Sequence, residues 1–292
     1  MMQGNTRVLI TGANGLLGSH TIDAIRHQCH VEAVVRQLPK LISRDVSYHL
    51  IDFSKNWKVA DLPKSVDIII HLAQSEHFRE FPEQAMDVFQ VNIESTARLL
   101  DYAFKSGAKK FIYASSGGVY GNGPIAFHEN SSIVSHQKLG HYLGSKVCGE
   151  VLVQSYASIF DVIILRPFFM YGANQRRTML IPRLVDCVVE GRPIILQGKD
   201  GIRINPVHVR DVVDVIKFCL TSSGSLTLNV AGPSILSIKE ISEIIANIVN
   251  KKPHYYITNE IKNDLIGDNE LMLSILDKEL ILLNEGILEL IY

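Results

Sequence analysis

Tyr142 and Lys146 stand four residues apart in the run Y-L-G-S-K, within a segment of helical pattern. Positions i and i+4 of a helix share a face, so the ammonium stands close to the phenol and favours the phenolate. Such a pair can hold and move a proton. Hydroxyl groups come from a second stretch, Ser115-Ser116-Gly117-Gly118-Val119-Tyr120-Gly121, which follows the apolar run 110–114. In a parallel sheet the carboxyl ends of the strands face the ligand crevice, so Ser115 or Ser116 can meet Tyr142 there. A third group opens the chain: V-L-I-T-G-A-N-G-L-L-G puts Gly12, Gly15 and Gly18 after an apolar run and at the start of a helical pattern. Backbone without side chains can approach a pyrophosphate, and a helix N-terminus adds unpaired N–H groups and a favourable dipole. The competing reading, glycines that serve only a tight turn and close helix packing, is the weaker one in this strand and helix context.

A dinucleotide fold places a side chain beside the adenosine ribose at the end of its second strand, here near Val35. Arg36 occupies that place. A carboxylate there would bind the ribose 2′-hydroxyl, whereas a guanidinium pairs with a 2′-phosphate and favours NADP(H). A solvated loop arginine is the plainer alternative. Asp52, after the third strand, either accepts a hydrogen bond from the adenine amine or begins a turn.

The elements that must position these groups follow from apolar periodicity. Apolar, β-branched runs at 8–10, 31–35, 66–72, 110–114 and 162–165 alternate with helical patterns at 16–27, 82–106, 136–159, 179–190 and 209–221. Alternation of this kind means βαβ units and a parallel sheet. The expected fold class is α/β, a Rossmann-type doubly wound parallel sheet with a smaller C-terminal substrate-binding portion. Residues 1–166 form the expected dinucleotide-binding domain and 167–292 the smaller portion, with segments near 203–231 returning to the main domain. In the second part Pro, Gly and Arg interrupt the pattern, and short strands such as 193–196 alternate with helices such as Ile238–Val249.

A chain of 292 residues with 47% hydrophobic and 20% charged residues can bury a large core. Its formal net charge of -1 leaves no excess of Lys and Arg for a phosphate backbone, which argues against a nucleic-acid partner. No stretch approaches the roughly 20 consecutive apolar residues that span a bilayer, and residues 1–11 read as a first strand rather than a signal peptide. Cys29, Cys148, Cys187 and Cys219 are scattered, without C-x-x-C spacing, so a reduced, cytoplasmic setting is expected. The 11 histidines form no tight cluster, and no metal is expected.

With these residues in hand, the chain resembles the NAD-dependent epimerase/dehydratase family, the extended short-chain dehydrogenases that mostly act on nucleotide sugars. The matching stretches are T-G-A-N-G-L-L-G, H-L-A at 71–73, V-N at 91–92, S-S-G-G-V-Y-G, Y-L-G-S-K, L-R-P-F-F-M-Y-G at 165–172, H-V-R-D-V at 208–212, N-V-A-G-P at 229–233 and L-L-N-E-G-I at 282–287. The resemblance implies that Tyr142 is the general acid/base at the sugar oxygen, that Ser116 hydrogen-bonds the same oxygen, and that Lys146 lowers the phenol pKa and holds the nicotinamide ribose. It implies cofactor contacts from Gly12, Gly15, Gly18, Arg36, Asp52, Ala73 and Lys146, and a homodimer through the segments 82–106 and 136–159.

Departures from the family pattern narrow the reaction. Gly117 and Gly118 stand where the dehydratases carry an acidic pair, so the groups that elimination needs are missing. Phe169 replaces a frequent Asn, and Ile204 replaces a frequent Arg, with Arg203 one place earlier. In an extended stretch that displacement turns the side chain to the opposite face, leaving Arg176, Arg177 or Arg203 as candidates for diphosphate binding. The leading expectation is an NADP(H)-preferring oxidoreductase, with NAD(H) as the alternative, that reduces a 4-keto group of a nucleotide-linked deoxy sugar. The alternative is a nucleotide-sugar 4-epimerase of the UDP-hexose type with bound NAD. A dinucleotide-sensing or RNA-associated protein that has lost the reaction is the reading from another class.

Overall fold

The computed structural model describes residues 5–260 and 263–291. Val8, Leu9 and Ile10 are fully buried, as expected of a parallel strand covered on both faces. They form β1 (Arg7–Thr11), which pairs in parallel with β2 (His30–Val35) on one side and β4 (Ile68–His71) on the other. Beyond β2 lies β3 (Val46–Leu50); beyond β4 lie β5 (Lys110–Ala114) and β6 (Asp161–Pro167), all parallel. A seventh strand, Leu226–Val230, completes the order β3-β2-β1-β4-β5-β6 at its outer edge. The chain reverses its direction of travel across the sheet between β1 and β4. In open α/β sheets the crevice outside such a switch point is the ligand site. This is the Rossmann-type α/β sheet.

The helices depart from expectation in their continuity. Helix α1 (Leu16–Ile25) stands where anticipated. The stretch expected as one helix over 82–106 is divided into turns, α2 (Ala85–Phe89), a π-helical turn Gln90–Glu94, and α3 (Ser95–Ser106), which Gly107 ends at φ 79°. Apolar periodicity does not register the single extra residue that widens a π turn. Helix α4 (His136–Gln154) stops short of 159 and is broken at Gly140, whose φ of 65° and ψ of -178° are not helical. Tyr142 therefore lies in the first turn of the continuous part.

Two compact units divide the chain. The first holds the residues through Val119, Val134–Arg166 and Ile216–Leu228, and its core gathers Leu9, Ile69, Leu99, Phe111 and Ile164. The second holds Tyr120–Ile133, Pro167–Val215 and the residues from Asn229 onward. Within it Pro193–Gln197 pairs in parallel with His254–Thr258, and helices Leu180–Glu190 and Ile238–Val249 share a core with Ile204 and Leu196. Ser237 caps the second of these helices in a reciprocal box with Glu240. Among the described residues no helix is long and apolar enough to cross a membrane, and no group of His, Cys, Asp or Glu is arranged to hold a metal ion.

Candidate active site

At the end of β5 the Ser115 N–H still reaches Leu165 O at 2.7 Å, and the chain then leaves the sheet. The Ser116 hydroxyl accepts from the Gly118 N–H at 3.1 Å. Gly118 is tightly packed: a Cβ there would lie 2.9 Å from a methyl of Leu143 on α4. Across this contact Tyr142 donates to Gln74 Oε1 at 3.1 Å and packs its ring 4.9 Å from that of Phe78. Burial pushes the Tyr142 phenol up to about 12, against the opposing pull of the Arg79 charge and of the nearby Ser116 hydroxyl.

Lys146 is almost fully buried, donates to Ala114 O at 2.9 Å, and holds its ammonium 6.0 Å from the centre of the Tyr142 ring. Burial lowers its pKa to about 8, while the carboxylate of Glu150 opposes the fall. Ser116, Tyr142 and Lys146 are thus brought together at the carboxyl edge of β5, with both helical residues on one face of α4.

Several residues that the sequence did not single out hold this arrangement. Glu150, one turn beyond Lys146, accepts from Arg166 Nε at 2.9 Å and Nη2 at 2.6 Å and from the Ser115 hydroxyl, all of them buried. Asn92, in the π turn, accepts from the Ser75 N–H at 2.9 Å and donates to Ser145 Oγ at 2.8 Å, which in turn donates to Tyr142 O at 2.7 Å. Asn92 had one signal, the V-N of the family pattern. Arg166 likewise lies inside a matching stretch, the L-R-P of 165–167, whereas Gln74 and Glu150 had no signal beyond proximity to quoted motifs.

His71, at the end of β4, lies between Thr11 Oγ1 at 2.7 Å and Thr96 Oγ1 at 2.9 Å. Thr96 spends its single hydroxyl hydrogen on Asn92 O, so His71 Nε2–H must donate to Thr96. Its Nδ1 then accepts from Thr11, whose oxygen in turn accepts from the Ala73 N–H at 3.2 Å. Donor and acceptor are thereby fixed at each step of the chain, and the imidazole is neutral. Burial, reinforced by the Lys146 charge, pushes its pKa down to about 3.

The glycine turn lies at the carboxyl end of β1. Gly12 has φ +67°, and a Cβ on it would lie 2.8 Å from Ala73 N; a Cβ on Gly18 would lie 2.4 Å from Gly12 O. These two glycines are required by packing alone. Gly15 is more telling: it caps α1 without a side chain, and its N–H donates to Gly12 O at 2.9 Å. The first N–H groups of α1 have no partner within the helix. A bare turn, the start of a helix and the switch point between β1 and β4 together fit a dinucleotide pyrophosphate.

Arg36 follows β2 directly, and its Nη1 lies 2.6 Å from Glu76 Oε1. Asp52 accepts from Ser54 N at 3.0 Å and Ser54 Oγ at 2.7 Å, the geometry of a turn. Its pKa is lowered: burial pushes it up, and the bonds from Ser54 together with the charges of Lys55 and Arg36 outweigh that. In the second unit Ile204 is fully buried, while Arg203 binds Asp264 through its N–H at 2.7 Å and Nε at 2.9 Å. The one-residue displacement does turn the arginine to the other face. Arg177 is held by Asp186 and by Leu290 O at 3.0 Å, and Phe169 sits at φ 45°.

Known proteins share this fold. A dTDP-D-glucose 4,6-dehydratase from Mus musculus is 28% identical over 232 residues, 74% of this chain; the chain spans 64% of that protein's length. A Bacillus subtilis protein, the uncharacterized UDP-glucose epimerase YtcB, is 25% identical over 284 residues, covering 88% of this chain and 87% of that one. The structure of MoeE5 in complex with UDP-glucose and NAD superposes with a TM-score of 0.83 at 26% identity, over 98% of this chain and 97% of that one. The family model for the NAD dependent epimerase/dehydratase family matches residues 8–231. The chain belongs to the NAD dependent epimerase/dehydratase family.

Proposed function

We propose that this chain catalyses the NAD-dependent 4-epimerisation of a nucleotide-linked sugar, with Tyr142 as the acid/base, Ser116 as the partner of the same sugar oxygen, and Lys146 as the cation beside them. The observation that carries the reading is the convergence of these three groups at the carboxyl edge of β5, with a packed Gly118 where elimination would need an acid. A bound nicotinamide supplies the hydride acceptor and donor. Everything else is done by the protein. Tyr142 takes the proton of the C4 hydroxyl as the sugar is oxidised and returns it when the opposite face is reduced. The Lys146 ammonium offsets the charge of the phenolate, and the Ser116 hydroxyl orients the oxygen. Gly12, Gly15, Gly18, Asp52 and the Ala73 segment would hold the dinucleotide.

The sequence favoured an NADPH-linked reductase because of Arg36. The epimerase is the better supported reading: Arg36 is already engaged by Glu76, and the relatives named above include a protein named as an epimerase and one in complex with UDP-glucose and NAD. The test is to incubate the purified protein with UDP-hexoses without added nucleotide. Appearance of the C4 epimer is expected, and Tyr142→Phe should lower its rate by about 10²–10⁴-fold while leaving the bound nucleotide in place. Consumption of NADPH in step with a 4-keto sugar, and no epimer, would overturn it.

A further inference from the structure

We infer that Glu76 determines cofactor choice: by holding the Arg36 guanidinium it shapes the ribose end of the site for a 2′-hydroxyl and against a 2′-phosphate. The inference rests on the NAD-binding reading above and names a residue for it.

Strand order explains why these two residues meet. Strand β1 lies between β2 and β4, so the loops leaving β2 and β4 flank the glycine turn. The loop from β2 carries Arg36 and touches that turn through Asn14 Nδ2, 2.6 Å from Gln37 O. The loop from β4 carries Glu76, and its neighbours are fixed. Ser75 N donates to Asn92 Oδ1 at 2.9 Å, the Ser75 hydroxyl donates to Asp87, and the His77 N–H donates to Ser75 Oγ at 3.1 Å. Glu76 is therefore delivered to Arg36 by anchored backbone, and the 2.6 Å contact is a charge-assisted hydrogen bond.

Charge settles the preference. Three carboxylates, those of Glu76, Asp52 and Asp87, act on the Arg36 guanidinium. Lys55 lies 3.7 Å from Asp52, but its side chain is largely exposed. A 2′-phosphate, with a charge of about -1.5 to -2, would have to break the Arg36–Glu76 contact and then face that carboxylate. A neutral 2′-hydroxyl needs neither, and Glu76 offers it an acceptor.

Titration of nucleotide-free protein with NAD and with NADP, by calorimetry, tests this. The parent should bind NAD more tightly. Glu76→Gln should raise the NADP-to-NAD affinity ratio by about tenfold or more, since charge-assisted contacts of Arg36 become available to the phosphate. Adding Arg36→Leu to that variant should abolish the gain. A ratio in Glu76→Gln within about twofold of the parent, or an equal gain without Arg36, would overturn the inference while leaving the cofactor reading intact. A parent that binds neither nucleotide would overturn both.

Discussion

Arg166 meets Glu150 through two hydrogen bonds with side chains 8% and 6% exposed, whereas Arg36 meets Glu76 through one with side chains 53% and 31% exposed. The chemistry is the same and the consequences differ. The buried pair joins the ends of β5 and β6 to α4, one turn from Lys146, and cannot lose one member without stranding the other's charge in the interior. The exposed pair is screened by solvent, contributes little to stability, and can act on whatever ligand approaches it. Burial thus separates an arginine that braces α4 from one that solvent and an approaching ligand can reach.

Removing one buried partner is expected to give the largest effect. Glu150→Ala should destabilise the fold by about 3–5 kcal/mol in denaturant unfolding, and the double variant Glu150→Leu with Arg166→Met should recover most of that. A loss below about 1 kcal/mol for the single variant would place this pair with the exposed one. The buried imidazole gives an intermediate effect. The folded-state pKa of His71, about 3, lies below its ordinary value of 6.5. The unfolded chain therefore takes up a proton that the folded one refuses. Stability is fully present above about pH 6.5 and falls with pH through the window down to about 3, by up to ~1.4 kcal/mol per pH unit. His71→Gln should flatten that slope; an unchanged slope would show that the imidazole does not carry it. The smallest effect belongs to the exposed pair: Glu76→Ala should change stability by no more than about 1 kcal/mol, and a larger loss would break the contrast.

Local signals were readable and distant ones were not. The buried runs of β1 and β5, the glycine turn and the four-residue spacing of Tyr142 and Lys146 all depend on near neighbours in the chain, where periodicity and spacing speak directly. Glu76 pairs with a residue 40 positions away, and Gln74 with one 68 positions away, through loops whose course only the folded sheet determines. The break at Gly140 and the π turn at Asn92 each alter a helix at a single residue, too little to disturb an apolar pattern. Arg36 is a case in point: read alone it points to a phosphate, and its contact with Glu76, 40 positions away, is what the proposal of a hydroxyl rests on.

The most direct test of the proposed chemistry is the fate of the hydrogen on C4. A UDP-hexose carrying deuterium at C4 is incubated with the protein as purified, and the products are followed by mass spectrometry and NMR. The expected result is a C4 epimer that keeps its deuterium, because Tyr142 exchanges only the hydroxyl proton and the hydride returns to the carbon it left. Deuterium found in free reduced nucleotide, or lost to solvent, would contradict it.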